Sequence, residues 1–197
     1  MSERDSNGTT GRILDVAERM LQVRGYNGFS YGDIATELGI TRAALHYHFA
    51  GKAELGQALI ERYASRFADA LTHLDATVPG ALAKLEGYAG LYTDVVSDNR
   101  MCLCGMLAAE HRTLPEPLQQ AVCAFFASNT VWLRTVLEEG LADGSLAFAG
   151  SAEDTAAMVL GGLEGSMLIT RLDGDVTRFR AAASRLLAGL SADAVPV

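Results

Sequence analysis

The stretch that most limits what this chain can fold into reads FSYGDIATELGITRAALHYHFAGKAEL, residues 29 to 55. Ser30 is an N-cap residue type, and its hydroxyl is placed to accept the backbone N–H of Asp33, three positions on. In the short amphipathic helix that follows, Ile34 and Leu38 share one face, and Ala35 is small enough to admit a second helix closely. Gly39 then supplies the left-handed backbone that a tight turn demands. A new helix begins at Thr41. Two short helices about a glycine turn have the spacing of a helix-turn-helix, which an ordinary αα-hairpin shares. The second helix, TRAALHYHF, carries polar or amphipathic donors at Thr41, Arg42, His46, Tyr47 and His48 and leaves Leu45 and Phe49 to anchor it. Exposed donors on a short anchored helix suit a nucleic-acid groove.

The rest of the chain reads as helix throughout. With 49% hydrophobic residues, only four prolines and few β-branched runs, the composition favours helices over sheet. Ile13, Leu14, Ala17, Met20 and Leu21 recur at helical spacing between about Thr10 and Arg24, and Gly25 ends that run. A long helix is expected from Lys52 to about Leu74, with Leu55, Leu59, Tyr63, Phe67 and Leu71 on one face. A further helix starts near Pro79 and reaches about Asp98, DNRMCLC reads as a loop, and GMLAAEHR as a short helix interrupted at Leu114 and Pro115. Glu116 to Leu141 is again helical, ended by the turn-rich DGSLAFAGS. The last two helices, about Ala152 to Leu172 and Asp175 to Leu190, are poor in charge, and their apolar surfaces suit homodimerisation or the completion of a core. The expected fold class is all-α: a three-helix helix-turn-helix domain over 1–55, its reading motif at about 31–49, and a larger helical domain over 56–197.

Net charge bears on partners. The chain carries a formal −8, yet residues 1–55 hold six Lys/Arg against seven Asp/Glu, and the excess acidity sits beyond them. A local patch of Arg42, Lys52 and backbone N–H groups can still meet phosphate. The N-terminus, MSERDSNGTTGR, lacks an apolar leader, and no run of about 18 apolar residues occurs, so a cytoplasmic protein with no membrane partner is expected. No Gly-rich phosphate loop, HExxH or GxSxG is present, which argues against an enzyme, and no cofactor or metal is expected.

Residues 29 to 55 resemble the TetR family of transcriptional regulators, filling almost every place of that family's pattern from Ser30 and Tyr31 through Ile34-Ala35, Gly39, Thr41, Leu45, His48-Phe49 and Lys52 to Leu55. One departure is His46, where the family usually has Tyr, so a phosphate contact made by a phenol becomes one made by an imidazole and open to pH. The resemblance implies a homodimer on palindromic double-stranded operator DNA. It places Thr41, Arg42, Ala43, His46 and Tyr47 near the major groove and Ser30, Tyr31, His48 and Lys52 near phosphates. Arg42 is the candidate for base readout, by a bidentate bond to guanine.

For the larger domain the resemblance implies a small-molecule pocket and a dimer interface through the last two helices, with no particular ligand. Large apolar side chains with a few polar tips nominate Tyr88, Tyr92, Cys102, Met106, Glu110, Phe125, Phe126, Trp132 and Met167 as pocket residues, although each alone also reads as core. MCLCGMLAAEHR leaves three readings open: a soft-metal site, a redox or electrophile sensor needing an exposed low-pKa thiolate, or buried small side chains. The function expected is a ligand-responsive repressor released by a small molecule or by cysteine modification. The alternative is a DNA-bound factor of the same fold that holds a protein partner instead of a ligand.

Overall fold

Helix starts and stops follow the local chemistry closely. In the computed structural model, which describes the backbone of residues 3–192 and the side chains of residues 8–192, the described residues form nine α-helices, one 3-10 turn and no strand beyond an isolated bridge. The outermost residues of the two expected domains lie outside the described residues. The helices are α1 (Glu3–Arg24), α2 (Tyr31–Leu38), α3 (Arg42–His48), α4 (Lys52–Thr77), α5 (Ala81–Ser97), α6 (Leu103–Ala109), α7 (Glu116–Asp143), α8 (Ala152–Asp173) and α9 (Val176–Ala188), with the 3-10 turn at His111–Thr113. The all-α fold class stands. Two boundaries differ from expectation: α1 starts a full two turns before Thr10, and α6 starts at Leu103, which puts Cys104 inside the helix and leaves Cys102 just ahead of it.

The chain packs as two compact units. The first takes the segment ending at Ser65 together with Leu103–Ala124, and the second takes Arg66–Cys102 with the chain from Phe125 onward. A division at residue 55 therefore differs from the division by packing, because a segment around residues 103–124 joins the first body. In that unit α1 packs on α2 and α6, and α2 on α3, around Ile13, Ala17, Leu21, Ile34, Leu45, Leu55 and Leu59. Arg62 of α4 ties back to α1 through Asp15 and Glu18, at 2.7 Å each. Each buried leucine or isoleucine among them contributes about 1.5–3 kcal/mol.

In the second unit α5, α8 and α9 pack mutually. Its core holds Leu85, Tyr88, Tyr92, Leu133, Leu137, Val159, Leu163 and Phe179, all buried. Lys84 anchors this body by bonding both Asp75 (3.3 Å) and Glu139 (3.0 Å).

Candidate nucleic-acid interface and effector site

The reading motif is set by three local features. Ser30 caps α2, its hydroxyl accepting from Asp33 N–H while the Asp33 carboxylate accepts from the Ser30 backbone N–H (2.7 Å) and hydroxyl (2.6 Å), a reciprocal capping box. These bonds hold the Asp33 carboxyl below its usual range. Gly39 turns the chain at φ 65°, a left-handed conformation that a side chain would oppose. Thr41 caps α3 by accepting from Ala44 N–H at 3.1 Å. Leu45 and Phe49 bury beneath α3, and Thr41, Arg42, Ala43, His46 and Tyr47 are exposed, Tyr47 by 76%. A groove lined by Phe29, Ser30, Tyr31, Gly32, Arg42, His46 and Lys52 runs between α2 and α3.

Several nominated donors already have partners. The Tyr31 hydroxyl donates to the Phe49 carbonyl at 3.1 Å, and burial with the nearby Glu54 carboxylate pushes its pKa up to about 12. Lys52 donates to the Phe29 carbonyl and lies over the Tyr26 and Phe29 rings, at 4.7 and 4.3 Å from their centroids. Burial lowers its pKa. His48 Nδ1 pairs with the Thr10 hydroxyl at 3.0 Å. His46 Nδ1 sits 3.0 Å from the Ala50 carbonyl, which cannot donate, so that nitrogen carries the ring proton. Arg42 lies over α2 where Gly32 has no side chain: a Cβ there would meet its guanidinium at 2.5 Å.

The nominated pocket residues separate between the two units. Met106 and Glu110 belong to the first. The Glu110 carboxylate accepts from the Tyr26 backbone N–H and from Asn27, through both its backbone and side-chain nitrogens at 3.3 Å. It therefore closes the turn after α1, where Gly25 at φ 80° leaves room for the carboxylate. Glu110→Ala is expected to destabilise the first unit by about 1–3 kcal/mol, the cost of stranding these donors, as read by urea unfolding; an unchanged midpoint would mean that water replaces the carboxylate.

Tyr88, Tyr92, Phe125, Phe126, Trp132, Met167 and Cys102 all fall in the second unit. Trp132 stacks on Tyr88 with centroids 5.5 Å apart, and Phe67 meets Tyr88, Tyr92 and Phe125 edge-on. The Tyr88 hydroxyl donates to Asn129 Oδ1 (3.0 Å) and lies 3.2 Å from the Tyr92 hydroxyl. Burial drives both phenols far above their ordinary range. Cys102 and Cys104 are buried, whereas Cys123 is exposed with its sulfur 3.8 Å from His111 Nε2. Neither thiol of the Cys-Leu-Cys segment has the exposure that a surface redox sensor needs.

Two matches bear on identity. Residues 13–59 match the bacterial regulatory proteins of the tetR family, and residues 81–186 match the tetracyclin repressor-like C-terminal domain. The chain belongs to the tetR family. It is similar to a TetR-family regulator from Agrobacterium tumefaciens, 32% identical with a TM-score of 0.91, over 94% of this chain and 99% of that one. A TetR regulator from Legionella pneumophila is also 32% identical, with a TM-score of 0.84 over 93% and 97% of the two chains. Among curated relatives, the HTH-type transcriptional regulator TtgR of Pseudomonas putida is 38% identical over 60 residues, 30% of this chain and only 29% of TtgR. As a tetR-family member the chain is a DNA-binding transcription regulator and not an enzyme, and repression as a homodimer is typical of the family. No helix among the described residues is long and apolar enough to cross a membrane.

Glu164 of α8 in this tetR-family chain is not among the residues that the sequence nominates. Its Oε1 is buried without a hydrogen-bond partner, and burial lifts the carboxyl pKa to about 7 against the lowering effect of a hydrogen bond from Cys102. A signal was present: Glu164 is the sole charged residue between Asp154 and Arg171.

Proposed function

We propose that this regulator is a cytoplasmic repressor that binds a palindromic operator as a homodimer and leaves it when a small molecule occupies the second unit. The observation that carries the reading is α3, seven residues long, capped at Thr41, anchored by Leu45 and Phe49, and exposing Arg42, Ala43, His46 and Tyr47 together. A helix so presented fits the major groove, and Lys52 and Arg42 add positive charge beside it. Small-molecule release is favoured over cysteine modification because Cys102 and Cys104 are buried. The dimer face is taken to be α8 with α9, where Leu168, Ile169 and Leu172 stand exposed beside a groove lined by Gly161, Gly162, Gly165 and Ala182.

Anisotropy titration against the DNA upstream of its own gene, at two salt concentrations with unrelated competitor, tests the reading. Specific, salt-sensitive binding of two chains per site is expected. Failure across a randomised-site selection would remove operator binding from this chain. Arg42→Ala is expected to weaken binding by about 1–3 kcal/mol and to relax the preference at one base pair of each half-site. A uniform loss over all sequences would instead assign the guanidinium, from its place over Gly32, to a phosphate.

A further inference from the structure

The second unit holds a carboxylate that its own side chains leave incompletely satisfied. Glu164 is half-buried on α8 with its Oε1 covered, and the polar groups of the aromatic core in the same unit are largely committed: the Tyr88 hydroxyl proton goes to Asn129 Oδ1, and the Asn129 side-chain nitrogen donates to the Phe125 carbonyl at 2.8 Å. Cys102 supplies Glu164 with one hydrogen bond, and Oε1 receives none. The carboxylate lies close enough to Tyr88 and Tyr92 to raise both phenols further, so it shares their surroundings. Those surroundings are aromatic, with Phe67, Phe125 and Trp132 packed on the two tyrosines.

An ionised carboxylate with a bare oxygen in such a place is costly, and an apolar residue of the same volume would be the more stable choice for packing alone. Two kinds of group relieve that cost. One is a proton, which the pKa of about 7 already invites. The other is a donor bearing positive charge, which favours the ionised form and donates a hydrogen bond to the unpartnered Oε1. An aromatic cluster in the same surroundings favours the same kind of ligand, because ring quadrupoles attract cations.

We infer that the effector site of this chain takes a ligand bearing a protonated amine beside an apolar or aromatic body, with the N–H donating to Glu164 Oε1. The inference rests on the reading that a small molecule acts through the second unit, and it names the class of that molecule. A carboxylate or phosphate ligand would be repelled by Glu164. A neutral alcohol would satisfy the oxygen without offsetting its charge.

Trp132 is the only tryptophan of the chain and stacks on Tyr88, so its emission reports on this site. The full-length protein is titrated with benzylamine, benzyl alcohol and benzoate, probes that share a ring and differ in charge and donor. Benzylammonium is expected to bind at least about tenfold more tightly than benzyl alcohol, and benzoate more weakly still, tenfold being about 1.4 kcal/mol. E164Q is expected to bring benzylammonium down to the level of the alcohol while leaving the alcohol within about twofold. E164D, which keeps the charge, is expected to keep the order of preference, and the order in the wild type stands as a test even if a variant fails to fold. Equal binding of the three probes, a preference for benzoate, or no response to benzylammonium would overturn the inference, as would an E164Q protein that still prefers the amine. The same probes added to the operator complex, followed by anisotropy of labelled DNA, separate the two readings. A probe of the opposite preference that releases DNA keeps ligand response and overturns the cation, whereas an amine bound through Glu164 without any effect on DNA supports the site's chemistry and counts against ligand response.

Discussion

The double variant Ile169→Asp, Leu172→Asp is expected to be a monomer and to bind operator DNA about 10²–10⁴-fold more weakly than the wild type, the range lost when two linked binding modules become independent. Met158, Leu168, Ile169 and Leu172 are exposed by 50, 57, 54 and 83%, respectively. Together with Gly161 and Gly165 they recur every three or four residues, so they make one stripe along the helix. A Cβ placed on Gly161 or Gly165 would meet nothing within 4 Å, so this stretch of α8 is open to close approach by another helix. Such a stripe of large apolar groups around a small-residue centre is the surface that a second copy can cover. Since Ile169 and Leu172 are exposed in the single chain, aspartates there should leave its own core intact, and the thermal midpoint of the monomer reports on that. Sedimentation gives the mass and anisotropy the affinity. A variant that stays dimeric would move the interface away from α8, and a monomer with undiminished affinity would remove the two-headed mode of binding.

What could be read from the sequence was mostly what lies within a few residues of itself. The Ser30 N-cap and the Gly39 turn are decided by groups three or four positions apart and are present as the sequence implied, and to these the structure adds the return bonds of Asp33 and a Thr41 cap one residue ahead of α3. The early start of α1 was not legible, because the polar residues before Thr10 carry no apolar period. Pairings over long separations were hidden. Glu110 meets Tyr26 and Asn27 across more than 80 residues, and nothing in AAEHR distinguishes such a carboxylate from one facing a ligand. The joining of residues 103–124 to the first unit is the same kind of fact, settled by which apolar faces meet. Of the pocket nominations, Tyr88, Tyr92, Phe125 and Trp132 do converge, through aromatic contacts whose spacing along α5 and α7 was visible although their meeting was not. Glu164 was overlooked because a lone carboxylate on a helix ordinarily faces water.

Glu164 also sets the second expectation, a stability that falls as pH rises. Its carboxyl titrates at about 7 in the folded chain against 4.5 for the unconstrained group, with burial as the main cause. Below pH 4.5 both the folded and unfolded chains carry the proton, and the group adds no pH slope. Between 4.5 and about 7 the unfolded chain has released the proton that the folded chain keeps, so stability declines by about 1.4 kcal/mol per pH unit. Above 7 the folded chain bears the buried charge, and the full loss, about 3 kcal/mol, has accrued. Other groups titrate over the same interval, so the quantity to measure is the difference between wild type and E164Q, by urea unfolding followed at Trp132, at pH 5 and pH 8. The variant, with no carboxyl to ionise, is expected to gain on the wild type by about 2–3 kcal/mol between those two conditions. Parallel behaviour of the two proteins would mean that water reaches Oε1 and that the carboxylate is solvated in place. Saturating benzylamine offers an internal check: by pairing with the ionised carboxylate it should flatten the wild-type slope and leave that of E164Q unchanged, since a ligand stabilises only the form it binds.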